Sequence, residues 1–197
     1  DWIVMKTLEK DRDRRYEIET AYDVATIDMG ASIAHAGCCL TVVEKGEGWF
    51  AVEVSAETLS KTTLNRWTEG HRVNLERAAR LGDEMGGHVV SGHVDGLGRL
   101  VSRSQGEGLW RFSFPPEHAA LVAAKGSIAL DGISLTVVEA ERAEFSVAII
   151  PETVARTALK DLRPGEPVHL ELDPLARYVA RALQISAREE KLRSFAQ

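Results

Sequence analysis

A chain of 197 residues has room for one large domain or for two of roughly 100 residues each. With 44% hydrophobic and 27% charged residues it has globular composition, and no apolar run is long enough for a membrane-spanning helix. A net charge of −6 argues against nucleic acid as the main partner, and the "DRDRR" cluster at 11–15 reads as a solvated turn.

In chain order, the N-terminal "DWIVMKTLEKDRDRR" lacks the charged, apolar, small-residue order of a signal peptide. Short runs rich in Val, Ile, Leu and Thr follow: "SIAHAG" from Ser32, "CLTVVE" from Cys39, "WFAVEVS" from Trp49 and "RVNLERA" from Arg72. A glycine-dense connector, "GDEMGGHVVSGHVDGLG", covers 82–98. The runs then resume as "SIALDG" from Ser127, "SLTVVE" from Ser134, "EFSVAII" from Glu144 and "PVHLELD" from Pro167. "GEG" at 46–48 and "LDG" at 130–132 are hairpin and turn cues, and this spacing predicts a small all-β barrel or sandwich on each side of the connector. Beyond it, Asp173 is placed to cap a helix and Pro174 to begin one. Leu175, Tyr178, Val179, Ala182 and Leu183 give that helix one apolar stripe, which either packs on its own barrel or joins copies of the chain.

The two sets of runs are one phrase written twice. Residues 32–76 match 127–171 without gaps at a shift of 95, with 19 identities in 45 positions. Repeats this long are duplicated domains rather than units of a solenoid. The expected division is 1–88, 89–172 and a C-terminal helix and tail over 173–197.

At the peak of the repeat, "GCCLTVVE" (37–44) answers "GISLTVVE" (132–139), so a thiol at Cys39 stands where the second copy has Ser134. Cys39 is either a plain buried thiol or one of two nucleophile-capable groups at equivalent positions. Thr41 and Thr136 lie two residues further along, hence on the same strand faces. His88 and His93, five apart, fall on opposite faces of a strand, and His35, Cys38 and Cys39 do not suit one tetrahedral ion, so no metal site is expected. "GGHVVSGH" lacks the order of a phosphate loop; it is either a glycine-rich crossover or a means of bringing His93 into a pocket as a proton carrier. Glu57-Thr58 and Glu152-Thr153 recur in both copies, as caps of a turn or short helix or as ligand contacts. The adjacent cysteines cannot close an ordinary disulfide loop, which fits a reducing cytoplasm.

"GASIAHAGCCLTVVE", "VNLERAARLGDEMGGHVVSGHVDG", "KGSIALDGISLTVVE" and "IIPETVARTAL" closely resemble the α-type riboflavin synthase family, from about residue 28 to about 183. The resemblance implies an all-β fold of two tandem six-stranded Greek-key barrels with a C-terminal helix that assembles a homotrimer. It implies dismutation of two 6,7-dimethyl-8-ribityllumazine molecules, by four-carbon transfer, to riboflavin and a ribitylamino-pyrimidinedione. No cofactor or metal is expected, and lumazine synthase is admitted as a further partner. The two substrates would lie between the N-terminal barrel of one subunit and the C-terminal barrel of the next.

Carried over by residue, the first pocket comprises Ser32, Cys39, Leu40, Thr41, Glu53, Val54, Ser55, Glu57 and Thr58. The second comprises Gly92, His93, Val94, Lys125, Ser134, Leu135, Thr136 and Ala148, Ile149, Ile150, Pro151, Glu152 and Thr153, with Asp131 and Asp173 nearby. Cys39, His93, Ser134, Thr136, Ser32 and Asp173 are the expected catalytic groups. His93 would take a proton from the acidic 7-methyl group, and Cys39 or Ser134 would supply or direct a nucleophile. The family's opening "MFTGIV" is not present in this sequence. The competing expectation is a non-catalytic lumazine- or flavin-binding paralogue of the antenna type.

Overall fold

The computed structural model describes residues 3–10, 13–104 and 108–195. Its first half contains β1 (Ile3–Lys10), β2 (Asp13–Glu19), β3 (Ser32–His35), β4 (Cys38–Gly46), β5 (Trp49–Val54), helix α1 (Ala56–Lys61) and β6 (Leu75–Arg77). The second half repeats the series as β7 (Gly96–Arg103), β8 (Leu109–Ser113), β9 (Ser127–Leu130), β10 (Ile133–Ala140), β11 (Glu144–Ala148), α2 (Pro151–Arg156) and β12 (Pro167–Leu172). A third helix, α3, runs from Pro174 to Phe195.

Strand order in the first sheet is β1-β2-β5-β4-β3-β6, and the second has the same order, β7-β8-β11-β10-β9-β12, with β12 pairing back onto β7 to close a barrel. Three consecutive strands, β3 to β5, are flanked by β2 beside β5 and β6 beside β3, which is Greek-key connectivity. The first sheet meets its own end through the Ile3–Arg72 bridge, with Val4 N–H donating to His71 O at 3.0 Å and Gly70 N–H to Val4 O at 2.9 Å. Leu100, Glu166 and Gly165 repeat that pattern in the second barrel. Even the irregularities are copied: the register slips between Val42 and Glu44 and again between Val137 and Glu139.

Alternation along the strands sorts the side chains. Cys38, Leu40 and Val42 point into the first core with Ile33, Phe50 and Val52, while Cys39, Thr41 and Val43 point out. Leu135 and Val137 join Ile128, Phe145, Val147 and Leu170 in the second core.

The barrels meet at the tips of two matching hairpins. Ala36-Gly37 and Asp131-Gly132 both turn with two consecutive positive φ angles, 46° and 77° in the first and 47° and 82° in the second. Glycine is required at the contact, because a Cβ on Gly37 would fall 2.5 Å from the Gly132 amide nitrogen. On either side two polar residues make reciprocal clamps. His169 Nδ1 donates to the Ala36 carbonyl (2.7 Å) and Nε2 accepts from Thr63 N–H (2.8 Å). Asn74 Nδ2 donates to the Asp131 carbonyl (3.2 Å) and Oδ1 accepts from Ala158 N–H (2.8 Å). Asn74 and His169, Ala36 and Asp131, and Thr63 and Ala158 are each separated by the repeat of 95, so the contact has pseudo-two-fold character.

At α3, Asp173 Oδ1 accepts from Leu175 N–H at 2.9 Å, the capping role its position suggests. Arg177 ties the first turns to Asp95 at 2.9 Å. Leu175, Tyr178, Val179 and Leu183 are 60–74% exposed, so the apolar stripe does not fold back on its own barrel.

Candidate functional site: two outward barrel faces

Each barrel presents one polar face on its outside. On the first, Cys39 and Thr41 of β4 stand beside Ser32, which pairs directly with Thr41, and all three are exposed. Glu53 and Ser55 follow at the end of β5, and Ser55 Oγ caps α1 by accepting from Thr58 N–H at 3.3 Å. Glu57 and Thr58 form the first turn of that helix. On the second face, Ser134 and Thr136 occupy the same places, with Thr136 opposite Ser127. Exposed Ala148 and Ile150 lead into α2, where Pro151 takes the first helical position and Glu152 and Thr153 follow.

Lys125 adds a cation at the edge of the second face, at a φ of 65°. Its copy in the first barrel is Gly30, at 81°, and both amides donate to equivalent carbonyls, Val137 and Val42. A lysine held in a conformation that glycine adopts freely costs on the order of 1–2 kcal/mol, so the charge is kept at some expense.

Four of the predicted pocket residues face the other way. Leu40, Val54, Leu135 and Ile149 are buried in the barrel cores, leaving only their main-chain groups to face a ligand. Asp131 sits at the hairpin contact, its Oδ1 accepting from His169 N–H at 2.8 Å; desolvation there raises its carboxyl above the usual range, against the pull of His169. It lines the groove of about 490 Å³ between the barrels, with Trp67, His71 and Asn74.

The connector lies on both faces. Val94 packs against the first core, and the Gly92 carbonyl accepts from Cys39 N–H at 2.9 Å, with Gly92 at a φ of 77° and no room for a Cβ beside Cys39. Gly92, expected in the second pocket, therefore adjoins Cys39 of the first, Val94 leans on the first core, and His93 between them is exposed. This segment is anchored from the second barrel by Glu171, a carboxylate only 3% exposed. Its Oε1 accepts from Ser91 N–H and Oγ–H, both at 2.6 Å, and its Oε2 accepts from Gly92 N–H at 2.9 Å. Three donors on two oxygens make burial of the charge tolerable. Further back, His88 lies against Ser134, with its backbone N–H 3.2 Å and its Nδ1 2.7 Å from Oγ.

The two thiols are chemically distinct. Cys38 faces the core, and burial, together with the nearby Cys39 and Glu171, pushes it up to about 11. Cys39 is exposed on the polar face, so the plain buried thiol is Cys38. His35 is wholly buried, which separates it from Cys39 and from any shared ligand set.

Sequence reasoning missed Glu171, His88, Asn74 and His169. A signal existed for the last two: "VNLE" and "VHLE" place a polar residue between apolar ones at matched positions of both copies.

Two outward polar faces, one per duplicated barrel, define the class, and the comparison with known families agrees: the lumazine binding domain model matches residues 3–78 and again 91–173. Riboflavin synthase from Brucella abortus (strain 2308) is 49% identical over 174 residues, covering 85% of this chain and 86% of that protein. Riboflavin synthase from Photobacterium phosphoreum is 39% identical over 172 residues, covering 86% and 78%. The chain belongs to the riboflavin synthase family. Among solved structures, LumP complexed with riboflavin superposes with a TM-score of 0.79 over 87% of this chain and 94% of that one, at 21% identity. LumP complexed with 6,7-dimethyl-8-(1'-D-ribityl) lumazine gives 0.76 over 86% and 93%, also at 21%. At that identity the likeness is one of fold.

Proposed function

We propose that this protein dismutates two molecules of 6,7-dimethyl-8-ribityllumazine, one giving a four-carbon unit to the other, to yield riboflavin and 5-amino-6-ribitylamino-pyrimidinedione. The observation that carries the reading is the duplicated polar face: the same strand position in each barrel, with Thr41 or Thr136 two residues on, holds Cys39 in one and Ser134 in the other. One substrate molecule binds each face, and the differing groups treat identical molecules differently. Main-chain groups at Leu40, Val54, Leu135 and Ile149 read the ring carbonyls and nitrogens, and the ribityl chain meets Glu57, Thr58, Glu152 and Thr153. His93, exposed next to Gly92, takes the proton from the 7-methyl group, whose carbanion delocalises into the ring. Cys39 and Ser134 supply or direct the nucleophile at C7 of the second molecule.

Each face is open in a single chain, so the site is completed by a neighbouring subunit's opposite barrel in a homotrimer. The uncovered stripe of Leu175, Tyr178, Val179 and Leu183 on α3 supports that assembly. The unpaired Cys38 and Cys39 support a reducing, cytoplasmic setting, where lumazine synthase would be the supplier of substrate. Purified protein is incubated with the lumazine alone and riboflavin absorbance is followed. Riboflavin should accumulate at one per two lumazines; tight binding without product would establish a non-catalytic binder instead.

A further inference from the structure

The groove of about 490 Å³ between the barrels has the size of a small-molecule site. It straddles the pseudo-two-fold axis, because much of its lining comes in pairs separated by the repeat of 95. Trp67 and Leu162 are one such pair, Arg66 and Asp161 a second, His71 and Glu166 a third. The first pair is buried and makes part of the lining apolar, with the His71 ring stacked on Trp67 at 5.4 Å. The other two pairs have diverged in charge. Identical copies would set arginine against arginine across the groove; here a carboxylate of the second barrel answers Arg66 of the first. Burial lowers the His71 pKa, so near neutral pH its ring is an uncharged surface and Arg66 and Arg72 make this wall positive. Among the described residues no ion pair joins Arg66 to Asp161 or Glu166, so opposite charges face each other across open space. Asn74 and Asp131 also line the groove, which places any occupant on the clamp that joins the barrels.

We propose, resting on the dismutation reading, that this groove binds the second product, 5-amino-6-ribitylamino-pyrimidinedione, apart from the two outward faces. The pyrimidinedione ring carries carbonyl acceptors at C2 and C4 and amino donors at C5 and C6, on opposite edges. Its acceptor edge meets the guanidinium of Arg66, while its amino groups and ribityl hydroxyls donate to Asp161 and Glu166. The flat ring lies against His71 and the apolar lining. Lumazine and riboflavin keep the carbonyl edge but not the donor edge, because the corresponding nitrogens belong to a second ring and carry no proton. Such a nitrogen would meet a carboxylate as acceptor against acceptor, so the groove selects the amine over both. The amine released at the faces thus stays on the protein without competing with lumazine for either face.

The test is equilibrium dialysis of the intact protein against the pyrimidinedione, kept free of oxygen, with riboflavin saturating the outward faces. One pyrimidinedione per chain should be retained. Asp161→Asn and Arg66→Met should each weaken that binding about tenfold or more, the equivalent of one hydrogen bond to a charged group. Riboflavin affinity at the faces should stay within about twofold in both variants, since neither residue belongs to a face. Displacement of all bound pyrimidinedione by riboflavin would show that the product binds only at the faces and would overturn the proposal. Retention that is indifferent to both variants would equally sink it, as would riboflavin binding weakened by the same two substitutions. Formation of riboflavin from lumazine is measured separately. If none forms, the dismutation reading fails, and the response of pyrimidinedione binding to Asp161→Asn and Arg66→Met still decides the groove.

Discussion

His35 offers a clean test of the energetics, because the duplication supplies its own control. The side chain is fully buried inside the first barrel, edge-on to Phe50 at 5.5 Å, with Nδ1 donating to Ile33 O at 2.9 Å and Nε2 unpartnered among the described residues. The second barrel places Leu130 at the same position. Burial lowers the His35 pKa from 6.5 to about 4, opposed only by the bond to Ile33. The native state thus refuses a proton that the unfolded chain accepts below pH 6.5. Stability falls as pH drops through the window from 6.5 to 4, at about 1.4 kcal/mol per unit, and the loss is complete below the folded pKa. At pH 5 this amounts to about 2 kcal/mol relative to pH 7.5. His35→Leu should remove that loss while staying within about 1 kcal/mol of wild type at pH 7.5, one hydrogen bond being exchanged for apolar burial. The assay is urea unfolding of both proteins at pH 7.5 and pH 5, in which all other titrating groups cancel between the two. Parallel pH dependence in the two proteins would refute the reasoning and show that His35 is protonated or rehydrated in the native state.

At the barrel contact, His169→Ala leaves the Ala36 carbonyl and the Thr63 amide without partners, at a cost of about 2–5 kcal/mol. His169→Asn should recover much of this, because Asn74 makes the same pair of bonds on the other side; equal losses in denaturant titrations would contradict the pairing of the two clamps. Gly132→Ala should destabilise by about 3 kcal/mol, combining the strain of a positive φ with a collision against Gly37, and lower the thermal midpoint accordingly. Iodoacetamide at pH 8 should label Cys39 while leaving Cys38, held up near 11, unmodified in the folded protein; peptide mapping showing equal labelling would place both thiols in solvent.

Much of this was legible because the sequence repeats itself. A shift of 95 predicted that β4 and β10, α1 and α2, and the two hairpins would superpose, and two-residue alternation put Cys39 with Thr41 and Ser134 with Thr136. The same alternation turns the Leu40 and Leu135 side chains inward, away from the faces on which the family resemblance places the predicted pockets. What sequence could not supply was the path of the connector. Gly92 lies against both barrels, its carbonyl accepting from Cys39 N–H of the first and its amide donating to Glu171 of β12 in the second, and His88 settles on Ser134. The contacts to Glu171 and Ser134 join residues 79, 80 and 46 positions apart, and nothing local in the chain encodes them. The contrast between Glu171, buried, and its copy Glu76, exposed, likewise depends on which barrel the connector crosses.

The paired hairpin tips have a consequence for how the two halves came to differ. A contact built of matching clamps is the form taken by two identical chains that associate, and such a pair holds together only as concentration allows. Joining the halves through one connector replaces that dependence with an effective concentration in the millimolar range for a short tether. Association is then no longer a constraint on keeping the halves alike, since a substitution in one is not forced on the other. Asn74 could become or remain different from His169, and Cys39 from Ser134, without undoing the union. Within one chain, the two copies of a face can thus carry different groups, Cys39 on one and Ser134 on the other.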